Sequence, residues 1–226
     1  MKRIGLIGGL SWQSTASYYA VFNQLTAETS EPWVQPKLII DSLDFSEIVG
    51  LQKDGDWEAT GRILADSARR LEAGGAKVLG IGANTMHMNF QAVSAAVSLP
   101  VIDVRDAVAN HLFAMGATSL SLLGTKYVMQ EGFYSQHLEG RGVTVVKPLG
   151  GEIDELQAII YDELTRGVVT ESSRDRFFAI AQGCRSRGGE VVGLCCTEFG
   201  MLVNANNTPW PFIDSTCAHV KALLDY

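Results

Sequence analysis

Val78-Leu79-Gly80-Ile81-Gly82-Ala83-Asn84-Thr85 and Val191-Val192-Gly193-Leu194-Cys195-Cys196-Thr197-Glu198 follow one pattern. Each is a short apolar run with a central glycine, followed by small and polar residues. Each follows a pair of glycines that closes a stretch of helical character, with two residues intervening after Gly74-Gly75 and one after Gly188-Gly189. A helix stop followed by a brief apolar run reads as a buried strand. Two more pairs match in the same order and at nearly constant offset. Leu6-Ile7-Gly8 matches Leu122-Leu123-Gly124, and Pro100-Val101-Ile102-Asp103 matches Pro211-Phe212-Ile213-Asp214. Buried strands resemble one another in general, but three ordered matches point to an internal repeat.

The segments between these runs complete the picture. Arg3 to Ile7 reads as a strand ended by Gly8-Gly9, with a helix beginning near Ser11 to Gln13. Lys37 to Ser42 is a second strand. Thr60 to Ala73 carries apolar residues at helical spacing (Ile63, Leu64, Ala68, Leu71), and Lys77 to Ile81 is a third strand. The second half repeats the order with strands at Leu120 to Leu123, Val143 to Val146 and Glu190 to Leu194, and a helix at Arg174 to Arg187. Strands alternating with helices of this length form parallel sheets. The expected fold class is therefore α/β: two pseudo-symmetric lobes, each a mostly parallel sheet flanked by helices. Lobe one is expected to comprise 1–98 plus 208–226, with the final helix packing back on it, and lobe two 99–207. A ligand cleft is expected between them, at the carboxyl ends of the strands.

Composition narrows the class. The 226 residues are 46% hydrophobic and 19% charged, an ordinary globular balance, and the formal net charge of -7 argues against nucleic acid as a partner. A small anionic ligand stays compatible, because a pocket can be locally positive in an acidic protein. No apolar run approaches the length of a membrane span, and the run after Met1-Lys2-Arg3 is too short for a signal sequence, so a cytoplasmic location away from membranes is expected. Cys184, Cys195, Cys196 and Cys217 contain no CxxC pair, and neither HxH nor HExxH occurs, so neither a disulfide scaffold nor a metal site is expected. GxGxxG and GxxxxGK[ST] are also absent.

Loops after parallel strands carry the chemistry of such folds. They select Gly8-Gly9-Leu10-Ser11, Gly82-Ala83-Asn84-Thr85, Gly124-Thr125-Lys126 and Cys195-Cys196-Thr197-Glu198. Backbone N–H groups at such helix starts suit a carboxylate, and Asn84, Thr85, Thr125 and Thr197 add side-chain donors. Ser11, Thr85 and Thr197 also suit a plain helix-capping role. Cys196 is the sharpest candidate, since a thiolate at a helix start removes protons or attacks as a nucleophile. The helix start is expected to lower its pKa. Cys184, Cys217 and Cys195 read as buried structural cysteines, with Cys195 turned away from Cys196 by strand alternation. His87 is a candidate lining residue. Trp12, Tyr18 and Tyr19 are candidates for a pocket wall, although aromatics at helical spacing are commonly core.

The chain resembles the aspartate/glutamate racemase family, in particular its broad-specificity amino-acid racemase branch. The carriers are Ile4-Gly5-Leu6-Ile7-Gly8-Gly9-Leu10-Ser11-Trp12, Asn84-Thr85-Met86-His87, Leu123-Gly124-Thr125-Lys126-Tyr127 and Cys196-Thr197-Glu198. The resemblance implies cofactor-free racemisation by two thiols on opposite faces of the substrate Cα, a small-molecule amino-acid substrate and a homodimer. It implies that Cys196 is the catalytic cysteine of the second lobe. Leu10, Ser11, Asn84, Thr85, Thr125, Thr197 and Glu198 are read as substrate-binding positions, with Asn84, Thr85, Thr125 and Thr197 matching those that hold the carboxylate. The family's first-lobe cysteine falls at Ala83, and the internal repeat independently aligns Ala83 with Cys196. A lysine that reads a side-chain carboxylate in aspartate-specific relatives has no counterpart near Leu164-Thr165-Arg166, where Arg166 is the available cation.

Ala83 leaves three readings open. The first is a racemase that draws its second proton from water or another residue such as His87, or whose first thiol has been replaced. The second is a one-cysteine isomerase or decarboxylase of small dicarboxylates. The third is an amino-acid-binding protein without catalysis.

Overall fold

The structure is a computed structural model that describes residues 2–31, 33–204 and 206–226. The chain divides into two compact units, Met1–Val104 with Thr216–Tyr226, and Arg105–Ser215.

The first unit runs β1 (Arg3–Gly8), α1 (Trp12–Thr29), β2 (Lys37–Ser42), α2 (Phe45–Asp54), α3 (Trp57–Ala73) and β3 (Val78–Ile81), then a 3-10 turn (Thr85–Asn89), α4 (Phe90–Ala96) and β4 (Val101–Ile102). Its sheet is parallel, in the order β2-β1-β3-β4. The helix read from Thr60 begins earlier, at Trp57, because Asp56 caps it by accepting from the Ala59 N–H at 2.9 Å.

The second unit runs α5 (Val104–Ala114, entering from the first), β5 (Ser119–Gly124), α6 (Lys126–Gln130), α7 (Ser135–Gly140), β6 (Thr144–Val146), α8 (Glu152–Ala158), α9 (Glu171–Ser186), β7 (Val191–Cys195) and β8 (Phe212–Asp214). Between α8 and α9 lie a π turn (Ile159–Glu163) and a 3-10 turn (Leu164–Arg166). The sheet order is β6-β5-β7-β8, again parallel. α10 (Ser215–Asp225) returns the chain to the first unit.

The repeat seen in the letters is a repeat of register. Leu6 pairs with Gly80 in one sheet and Leu122 with Gly193 in the other. Gly80 pairs with Ile102, and Gly193 with Ile213. The two PxID segments thus occupy the same edge of their respective sheets. This moves the division of the chain from the expected 98 and 207 to Val104 and Ser215. The reason is local: the short β4 and β8 hydrogen-bond to the strand before them, with Leu79 N–H donating to Pro100 O (2.9 Å) and Val192 N–H to Pro211 O (3.0 Å). Each therefore stays with the lobe that precedes it.

Each unit has its own core. Ile7, Leu64, Leu79 and Ile81 pack on one face of the first sheet, and Ile4, Leu6, Tyr18, Phe22, Val220 and Leu223 on the other. α10 packs there because Gly80 lacks a side chain, since a Cβ at that position would stand 2.8 Å from the Leu223 side chain. The second core gathers Leu123, Leu156, Phe177, Ile180, Leu194 and Phe199. No described helix is long and apolar enough to cross a membrane.

Candidate active site

In the first unit, Gly9 adopts φ +69, a backbone region that favours glycine, and the Leu43 backbone lies where its Cβ would be. That turn delivers Leu10 and Ser11, both buried, to the start of α1. Ser11 is the helix cap, its hydroxyl accepting from the Ser14 N–H at 3.0 Å. The Ser14 hydroxyl in turn donates to Gly82 O at 2.6 Å, and the Gly82 N–H donates to Ile7 O at 2.8 Å. These bonds bring the Gly9–Ser11 turn and the Gly82–Thr85 loop together. Asn84 and Thr85 are buried in that loop, and Ala83 packs partly buried against the same core as Leu10. Asn84 makes no side-chain capping bond to the turn that follows.

His87 lies one turn further and is buried. Its Nδ1 is 2.9 Å from Ala83 O, and its Nε2 accepts from the Val104 N–H at 3.2 Å. This pattern assigns the proton to Nδ1 and a neutral ring. Both nitrogens serve backbone groups, so His87 ties the Ala83 loop to the start of α5. Its ring meets that of His219 edge-on at 5.6 Å. His219 is itself fixed between the Tyr18 hydroxyl and Ile102 O, each at 2.9 Å. Burial first, and the neighbouring His87 second, pull the His219 pKa down to about 3. Tyr18, a candidate pocket residue, is therefore core, while Trp12 and Tyr19 are exposed.

In the second unit, Gly124 pairs with Cys195 at the ends of β5 and β7, which sets Thr125 and Cys196 at the ends of neighbouring strands. Thr125 is buried and caps α6, with Oγ1 3.4 Å from the Val128 N–H. Cys196 is buried and donates from Sγ to Glu198 Oε2 at 3.1 Å. The Thr197 hydroxyl donates to the same oxygen at 2.7 Å. Glu198 is also buried, so a thiol and a carboxylate face each other away from bulk water.

The expectation of a lowered thiol pKa is overturned. Burial chiefly, and then the Glu198 carboxylate, hold the Cys196 thiol well above the usual range. The helix that follows is only a five-residue 3-10 turn, and its small dipole does not offset a buried carboxylate at contact distance. Cys195 sits apart, beside Tyr134, and burial pushes its thiol up to about 12. Cys184 lies in the α9 core.

Gln157 and Tyr161 join this loop cluster unannounced by the sequence. Gln157 Oε1 accepts from the Lys126 N–H at 2.9 Å. Tyr161 packs on the core that contains Cys196. A helical spacing reading misses it because the π turn alters the phase of the helix there. Arg166, the cation considered for a substrate side chain, is exposed at the end of the next turn. Away from the loops, Asp106 Oδ1 takes His137 Nε2 at 2.8 Å and also Arg141, so that carboxylate already has a cationic partner.

A model of the Asp/Glu/hydantoin racemases matches residues 7–223, nearly the whole chain. The chain belongs to that family. Among solved structures, a proposed Asp/Glu racemase from Yersinia pestis shares 37% identity over 100% of this chain and 99% of its own, with a TM-score of 0.91. An aspartate racemase homologue from Pyrococcus horikoshii shares 34% over 100% and 98%, with a TM-score of 0.88. The broad-specificity amino-acid racemase RacX of Bacillus subtilis is 21% identical over 74% of this chain and 72% of its own. Within this racemase family, the two-lobed α/β architecture is that of the solved members.

Proposed function

We propose that this member of the family is a cofactor-independent amino-acid racemase, acting on aspartate, glutamate or a broader set, with Cys196 as its acid/base. The observation that carries the reading is the buried Cys196–Glu198 pair at 3.1 Å. At rest the proton sits on sulfur. An amino acid brings an α-ammonium near the thiol, and an opposite charge there favours the thiolate. The Sγ–H bond then breaks as an Oε2–H bond forms on Glu198. The thiolate takes the Cα proton, and the electron pair passes into the substrate carboxylate. Asn84, Thr85 and Thr125 are the side-chain donors proposed for that carboxylate; the Thr197 hydroxyl already donates to Glu198, so Thr197 is proposed to contribute through its backbone N–H, with Leu10 and Ser11 completing the binding positions. The second proton comes from water, because Ala83, which stands where the family's other cysteine stands, has none to give. The reading includes a homodimer, which sedimentation velocity tests.

A panel of amino acids in D2O, followed by NMR, tests the chemistry. Deuterium entering Cα of at least one enantiomer is expected. No exchange and no racemisation with any proteinogenic amino acid refutes it.

A second reading is favoured by the protonated state of the buried thiol together with Ala83. A one-thiol enzyme that isomerises or decarboxylates a small dicarboxylate needs a single proton delivered to carbon, and a thiol held protonated suits that task. Turnover of maleate-like or malonate-like acids without α-proton exchange of amino acids selects this reading.

A further inference from the structure

The geometry points to Ser14 as a positioning residue for substrate binding, one that acts through Gly82 to hold the Asn84–Thr85 loop in the form that receives a carboxylate. The inference rests on the reading above in which Asn84 and Thr85 bind the substrate. It adds a residue that neither the motifs nor the repeat select.

Three observations lead to it. The first is where the Ser14 hydroxyl goes. Serine and threonine hydroxyls within helices commonly return to a carbonyl one turn back. Thr15 and Thr26 of α1 do so, donating to Ser11 O at 3.0 Å and to Phe22 O at 2.8 Å. Ser14 instead donates to Gly82 O at 2.6 Å, across 68 positions of sequence. Ser11 is the cap of α1, so Ser14 is the third residue of the helix. A glutamate or glutamine at that place commonly folds back on the cap. Ser14 uses the place to reach a second loop.

The second is burial. Ser14 is 2% exposed. A carbonyl bonded to a buried hydroxyl loses its partner outright when that hydroxyl is removed, because water does not take its place without cost.

The third is a run of carbonyls. Gly82 O takes the Ser14 hydroxyl, Ala83 O takes the His87 Nδ1–H at 2.9 Å, and Asn84 O takes the His87 backbone N–H at 3.1 Å. Three successive acceptors are thereby occupied by donors from α1 and the 3-10 turn. Carbonyl oxygens repel a carboxylate, and backbone N–H groups attract it, so a loop with its carbonyls pinned meets an anion with its donors. Ser14 secures the first of the three, directly after β3 ends at Ile81. Without that bond the Gly82–Ala83 peptide can rotate, and glycine offers little steric resistance to the turn. The first turn of α1 also fixes the other loop. The Ser14 N–H donates to the Ser11 hydroxyl at 3.0 Å, and the Gly9 N–H donates to Thr15 Oγ1 at 2.8 Å. One helix start thus sets the spacing of both proposed binding loops of this unit.

The test is Ser14→Ala, with α-proton exchange followed by NMR in D2O. KM is expected to rise about tenfold while kcat stays within about twofold, the pattern of a lost interaction that ground state and transition state share. Thr26→Ala is the matched control. It removes an equally buried hydroxyl–carbonyl bond from the same helix, about three turns further along, and is expected to keep the wild-type KM. Wild-type KM in Ser14→Ala overturns the inference. So does an equal rise in KM in both variants, which marks a general loosening of α1, and so does a fall in kcat at unchanged KM. If Ser14→Ala does not fold, Ser14→Cys carries the test, since a thiol is a weaker donor of similar shape. A smaller rise in KM is then expected, and wild-type KM overturns the inference. A wild-type protein that exchanges no amino acid removes the functional reading and this inference together. An active wild type with unaltered KM in the serine variants removes this inference alone.

Discussion

The loops after β3 and β7 occupy equivalent places in two sheets of the same order and register, yet their chemistry has diverged. After β7 stands a buried thiol facing a buried carboxylate. After β3 stands an alanine whose carbonyl is held by a histidine bound at both ring nitrogens to backbone. One half carries an exchangeable proton at its tip, and the other is locked by hydrogen bonds with no proton there to move. Buried titratable groups follow the same division. The first unit holds a histidine kept neutral, and the second holds thiols and a phenol kept protonated. A repeated fold fixes where a loop ends up and leaves its chemistry free to change.

The comparison breaks most sharply at Cys196. Replacing it by serine is expected to lower α-proton exchange by about 10²–10⁴-fold, the usual contribution of a positioned acid/base, while leaving the melting temperature nearly unchanged. NMR in D2O measures the rate, and an undiminished rate in Cys196→Ser removes the acid/base role.

The locked half is tested through stability. His87→Leu leaves Ala83 O and the Val104 N–H without their present partner. At about 1–3 kcal/mol for each buried polar group left unpaired, a loss of a few kcal/mol is expected in urea denaturation. A loss below about 0.5 kcal/mol, the range of neutral surface changes, contradicts the holding role.

His219 gives the pH dependence. Its folded pKa of about 3 lies below the ordinary 6.5, so between those values the unfolded chain binds the extra proton. Stability is complete above pH 6.5 and is lost as pH falls toward 3. About 2 kcal/mol is expected to go between pH 6.5 and 5, at about 1.4 kcal/mol per unit. Urea titrations at the two pH values check this, and His219→Gln is expected to flatten the dependence.

The smallest effect sharpens the other half. Removing the Glu198 charge takes away one of the causes that hold the Cys196 thiol protonated. Glu198→Gln is therefore expected to move iodoacetamide alkylation of Cys196 to lower pH, followed by peptide mass mapping. Burial remains, so the thiol stays above its free value.

Much of the fold was legible because parallel strands buried on both faces leave continuous apolar runs, and because the repeat supplies an internal control. Val78–Thr85 against Val191–Glu198 identified equivalent strands and the loops after them. The lobe boundaries were less legible. A two-residue edge strand such as β4 carries little pattern, and its place is set by a backbone bond from Leu79 to Pro100. The candidate residues were readable as types at loop positions, whereas their environments were not. Burial and a carboxylate two residues on reverse the expected direction for Cys196. The work of His87 is done on backbone groups far apart in sequence, which no motif records. Tyr161 escaped because a π turn has no compositional mark.

Ala83→Cys tests the claim of unequal halves most directly. Restoring a thiol to the proton-poor loop is expected to raise amino-acid racemisation, read by chiral chromatography, by about tenfold or more, and to do so only while Cys196 is present. A folded Ala83→Cys protein that racemises no better than wild type, or one that gains equally in a Cys196→Ser background, contradicts the account.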